Sequence, residues 1–129
     1  MKPGFLPGVA RELTIEVTEE MCPAFDGELL HRCYSTWSLV QHMEMAARRV
    51  LADFLEAHEE GIGAHVSVDH LAPSAVGRTV RVRAELAEVQ GRRVVCHVTA
   101  HHEGRLLARG TQVQIVMDKD HLRRYLERS

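Results

Sequence analysis

The chain has 129 residues, 45% of them hydrophobic and 26% charged, a balance that suits one globular domain and excludes a disordered or fibrous protein. Its formal charge of −2 lacks the basic excess of a nucleic-acid binder, and no run of about 20 apolar residues offers a membrane span. Of its sixteen cations only Lys2 and Lys119 are lysine, an arginine bias that suits phosphate or carboxylate recognition and that a GC-rich genome also produces.

Met1–Pro7 predicts an extended lead-in with no secretory signal. Arg11–Thr18 alternates, with Leu13, Ile15 and Val17 on one face, and predicts a strand. Met21–Cys33 is broken by Pro23 and Gly27 and predicts an irregular stretch. Ser38–His58 carries the one long helical period. At about 100° per residue, Leu39, Val40, Met43, Ala46, Ala47, Val50, Leu51 and Phe54 share a broad face. Gly61–Leu71 alternates again, with Ile62, Ala64, Val66, Val68 and His70 in phase. Thr79–Val89 sets Val80, Val82, Ala84 and Leu86 against Arg81, Arg83 and Glu85. Gln90-Gly91 and Glu103-Gly104 predict hairpin turns around a strand carrying Val94, Cys96, Val98 and Ala100. Leu106–Met117 is the last strand, and Asp118–Arg128 predicts a short polar helix.

Strand, long helix, then four strands joined mostly by hairpins predicts an α+β domain over residues 1–129, its antiparallel sheet curled around the helix. Such a sheet leaves edges to cover, which predicts a homodimer. Cys22, Cys33 and Cys96 are odd in number and lack metal-ligand spacing, so free thiols in a reducing, cytosolic compartment are expected. No HExxH, P-loop, GxGxxG or GxSxG motif occurs, so neither a metal nor a nucleotide cofactor is expected.

Two polar residues break the pattern. Glu44 lies at the edge of the apolar helix stripe, where it is either a flank residue paired to Arg48 or a carboxylate turned toward the sheet. His70 is the last member of the inward set on its strand, either a core-edge histidine bonded to a backbone carbonyl or a base. A sheet wrapped on the helix brings both to one interface, as a candidate acid/base pair. The remaining histidines, His42 included, read as background on polar faces, loops or turns.

The stretch from Tyr34 to Leu71, YSTWSLVQHMEMAARRVLADFLEAHEEGIGAHVSVDHL, resembles the hot-dog-fold thioesterases of the fluoroacetyl-CoA thioesterase-like group. In that group a Thr precedes the central helix, a Glu follows eight residues later and a His twenty-six after that, spacings that Thr36, Glu44 and His70 match. A Gly seven residues before the His also matches, as Gly63. The resemblance implies a hot-dog fold and hydrolysis of an acyl-CoA thioester to carboxylate and free CoA. It implies catalytic roles for Thr36, Glu44 and His70, a Gly63 N–H that holds the thioester carbonyl, and no cofactor beyond the CoA of the substrate.

The segment before Thr36 carries Leu29, Leu30, His31 and Arg32 and no Phe nearer than Phe25, so a short or medium acyl chain is expected rather than fluoroacetyl selectivity. One continuous helix separates Thr36 from Glu44 by about 12 Å. A triad therefore needs Thr36 off the helix, or the two groups on opposite sides of a ligand. Otherwise Thr36 is a helix N-cap. A hot-dog enoyl-CoA hydratase/dehydratase and a non-catalytic acyl-CoA-binding domain are the alternatives.

Overall fold

The computed structural model describes residues 1–129. Alternating apolar residues build five strands, β1 (Ala10–Glu16), β4 (Glu59–His70), β5 (Thr79–Gln90), β6 (Arg93–His102) and β7 (Arg105–Asp118), paired antiparallel in the order β1-β5-β6-β7-β4. The helix α1 (Thr36–Ala52) lies on one face of this sheet, and α2 (Lys119–Arg128) ends the chain. This is the α+β arrangement expected of a hot-dog fold. The core joins Leu39, Met43, Val50 and Leu51 of α1 to Val80, Val82 and Leu86 of β5. Each such side chain contributes about 1.5–3 kcal/mol by leaving water.

The stretch expected to be irregular contains a small hairpin, β2 (Ala24–Phe25) and β3 (Glu28–Leu29). Asp26 and Gly27 both adopt positive φ, 53° and 78°, as a two-residue primed turn requires.

The helix expected over Ser38–His58 ends at Ala52. The residues beyond it are claimed by tertiary contacts that override helix propensity. The Phe54 ring packs on Phe5 at 4.9 Å, and the Glu59 carboxylate accepts from the Glu56 N–H and the N-terminal ammonium, each at 2.9 Å.

The face expected on β4 is also corrected. The register with β7 slips between Gly63 and His65, so Ala64 is an extra residue and the inward set changes parity there. Val66, Val68 and His70 face the helix, opposite Gln112, Gly110 and Ala108. Before the bulge the helix-facing residues are Gly61 and Gly63, while Ile62 pairs with Ile115 on the far face. A Cβ on Gly61 would meet Leu51, and one on Gly63 would meet the Glu44 carboxylate. The two glycines let α1 approach the sheet where β4 forms its edge.

Candidate active site

Thr36 is the first residue of α1, but Ser35 is the cap: its Oγ accepts from the Ser38 N–H at 3.2 Å. The capping role considered for Thr36 is therefore filled by its neighbour. The Thr36 hydroxyl instead turns to the end of β4, where Oγ1 lies 2.9 Å from His70 Nδ1. The first-turn N–H groups of Thr36 and Trp37 have no partner further back in the helix, so the positive end of the α1 dipole lies beside this pair.

His70 is half-buried, and loss of water holds its imidazole below the ordinary histidine pKa, against a weaker upward pull from the Ala72 backbone. The ring is thus neutral near pH 7 and can take a proton. Its Nε2 is buried with no hydrogen-bond partner in the chain.

His42, expected on a polar face, is buried 7% exposed and hydrogen-bonds the Tyr34 hydroxyl through Nδ1. Burial lowers the His42 pKa and raises that of Tyr34. The Tyr34 ring stands edge-on to His70 at 6.4 Å. The buried arc of α1 is turned further toward Ser38 and His42 than the Leu/Val/Met pattern indicates, because Tyr34 supplies a polar partner inside the core.

That rotation leaves Glu44 exposed, just outside the arc. It does not pair with Arg48, whose Nη2 lies 2.7 Å from Glu60 instead. The Glu44 carboxylate rests against Gly63, close to Gln112, whose buried side-chain amide has no partner in the chain. Within one chain the structure therefore brings the expected residues together two by two, Thr36 with His70 and Glu44 with Gly63. Thr36 and Glu44 share a single helix and stand about 12 Å apart along its axis.

Thr36 and His70 open onto a cavity of about 520 Å³ whose walls include Phe25, Trp37, Leu71 and Pro73. The β2–β3 hairpin folds Phe25 against Trp37, edge to face at 5.4 Å. Phe25, eleven residues before Thr36, is thus an aromatic wall of the site, which linear distance along the chain concealed.

Residues 17–120 match the family model described as fluoroacetyl-CoA-specific thioesterase. The chain belongs to this family. A curated relative from Streptantibioticus cattleyicolor, named fluoroacetyl-CoA thioesterase, is 37% identical over 84 residues, which are 65% of this chain and 60% of the relative's length. A Thermus thermophilus hypothetical protein of the thioesterase superfamily superposes with a TM-score of 0.95 at 35% identity, covering 99% of this chain and 94% of that one. A threonine-to-serine mutant of the fluoroacetyl-CoA enzyme, solved with acetyl-CoA, superposes at 0.86 with 25% identity, covering 95% and 97%. A hot-dog-like protein from Thermanaerovibrio acidaminovorans superposes at 0.85, also with 25% identity, covering 98% and 93%. The family's fold is therefore this chain's fold, and no helix of the chain is long and apolar enough to cross a membrane.

Proposed function

We propose that this protein is an acyl-CoA thioesterase, cleaving a short or medium acyl-CoA to a carboxylate and free CoA. The observation that carries the reading is the 2.9 Å contact between Thr36 Oγ1 and His70 Nδ1 at the N-terminus of α1. A neutral imidazole next to a hydroxyl takes the proton of the attacking group, either Thr36 or a water held by it. The first-turn N–H groups of one copy, together with the Gly63 N–H and the Gln112 amide of a second copy, supply donors for the oxyanion that forms on the thioester carbonyl. The departing thiolate of CoA then takes the proton from the imidazolium. Where Thr36 is the attacking group, a water deprotonated by His70 next cleaves the acyl-Thr36 ester, which releases the carboxylate and restores the hydroxyl. Family membership and a related structure solved with acetyl-CoA support the same substrate class.

Glu44 completes the site from a second copy in this reading. β4 is an edge strand, and its residues from Gly63 to Ser67 are exposed together with Met45 of α1. Antiparallel pairing of two β4 edges centred on Ser67 keeps like faces opposite one another and, with Ala64 as the extra residue, sets Gly63 of one copy opposite His70 of the other. The Glu44 carboxylate that rests on Gly63 travels with it and orients or ionises the His70 of that second copy. The homodimer thus covers an open edge and assembles the third group at once. Three free cysteines fit a cytoplasmic site of action.

Thiol release from a panel of acyl-CoAs, by the wild type and by Glu44→Ala, tests the reading. Release by the wild type and a large loss in the variant is the expected result. Release with no loss removes Glu44 from the mechanism. Reversible hydration of an enoyl-CoA without any thiol release makes the protein a hydratase instead.

A further inference from the structure

Next to the Thr36–His70 cavity, and sharing its Cys33 and Pro73 walls, lies a second cavity of about 580 Å³. Arg32, Arg78 and Arg105 line it, against Glu103 as the one carboxylate of its wall. Arg81 stands just beyond, in a depression that also includes Arg78 and His102. This concentration of cations is local, since the chain as a whole carries −2. Arg32 is partly neutralised by Glu19 at 2.9 Å, whereas Arg78 and Arg105 form no ion pair with a carboxylate in the chain.

Arg78 is also held in place. The Nδ1–H of His102 donates to the Thr79 carbonyl at 2.8 Å, so the lone pair of His102 sits on Nε2, where the Arg78 Nη1 donates at 3.5 Å. Glu103 faces this ring at 3.6 Å but is itself 82% exposed, so its charge is screened by water.

We infer that this cavity receives the phosphate groups at the nucleotide end of an acyl-CoA, with Arg78 and Arg105 as their principal contacts. The inference rests on the thioesterase reading for the position of the ligand. A thioester placed at Thr36 and His70 leaves along the wall that the two cavities share, and the pantetheine arm then carries the pyrophosphate and ribose phosphate toward the arginines. Guanidinium groups suit this task because their planar donor forks match phosphate oxygens two at a time.

The test compares acetyl-CoA with acetyl-pantetheine, which has the same thioester and no nucleotide, and adds the calorimetric Kd of free CoA. The variants are Arg78→Gln/Arg105→Gln and, as a control of equal charge, Arg123→Gln/Arg128→Gln on α2. With melting temperatures unchanged, the first double variant raises the KM for acetyl-CoA and the Kd for CoA by at least about ten-fold, the worth of one charge-assisted hydrogen bond. It leaves kcat/KM for acetyl-pantetheine unchanged, and the control alters neither substrate. Unchanged CoA affinity in the Arg78/Arg105 variant, or equal losses on both thioesters, overturns the site. If the wild type hydrolyses neither thioester, the thioesterase reading falls and the CoA titration alone decides the cavity. An arginine-dependent Kd then supports it, and an unchanged or unmeasurable Kd overturns it.

Discussion

Thr36 and His70 stand thirty-four residues apart in the chain and 2.9 Å apart in the fold, joined through Oγ1 and Nδ1. One lies at the start of α1 and the other at the end of β4, so the contact depends on how the helix seats against the sheet edge. Gly61 and Gly63 set that seat, because side chains there would push Leu51 and Glu44 away.

Since Ser35 caps the helix, substitutions at Thr36 read its chemistry with little effect on helix stability. Thr36→Ser keeps a hydroxyl and should retain most of the turnover. Thr36→Asn removes it while remaining polar, and turnover should fall by about ten-fold or more, a modest share of what a positioned proton-transfer group contributes. Melting temperature should stay near that of the wild type in both. An Asn variant with full activity leaves a Glu44–His70 mechanism in which the hydroxyl has no part.

The pH dependence follows from the burial of His70. Desolvation favours the neutral ring, so its pKa lies below the ordinary value of 6.5. The neutral ring is the base, and activity should therefore rise with pH through a midpoint below 6.5 and be level from neutrality upward. A kcat/KM profile measured from acid to neutral pH checks this. A midpoint displaced above the ordinary histidine range would mean that an anion, the Glu44 carboxylate of a second copy, outweighs burial at the ring.

Two glycines separate a functional cost from a structural one. A Cβ on Gly63 meets the flexible end of Glu44, which can swing aside; a Cβ on Gly110 meets the backbone carbonyl of Ser67, which cannot. Gly63→Ala should therefore keep its melting temperature within a few degrees while losing activity. Gly110→Ala should destabilise the β4–β7 pairing by about 1–3 kcal/mol, in the range typical of overpacked sites. Thermal denaturation read beside initial rates tests both.

A site built from two copies makes a sharper demand. Thr36→Ala and Glu44→Ala should each be nearly inactive alone. Mixed, and allowed to exchange subunits, they should regain activity, because one site of each hybrid then holds an intact Thr36, His70 and Glu44. Failure to recover in a preparation that sediments as a dimer assigns all three groups to a single chain.

Much of this architecture is legible in residue periodicity. Val80, Val82, Ala84 and Leu86 are buried as their alternation requires, and so are Val94, Cys96, Val98 and Ala100. Legibility fails where a local rule meets a tertiary partner. The bulge at Ala64 exchanges Ile62 for Gly63 on the inner face, and a strict period of two cannot register one extra residue. His42 reads as a surface residue because hydropathy does not register the Tyr34 hydroxyl that satisfies it in the core. Phe25 looks remote from Thr36 until the Asp26-Gly27 turn, a two-residue hairpin signal within the sequence, folds it back onto Trp37. The spacing of Thr36, Glu44 and His70 is legible from the family resemblance, whereas their division into two separated pairs within one chain is visible only in three dimensions.

The central claim is that His70 serves as the base of a thioesterase. The measurement that tests it most directly is the steady-state rate of thiol release from acetyl-CoA by the wild type, His70→Ala and the exposed control His97→Ala. Release by the wild type, a loss of at least about 10²-fold in His70→Ala with its fold intact, and an unchanged rate in His97→Ala are the predicted results. A His70→Ala variant within ten-fold of the wild type would contradict the claim.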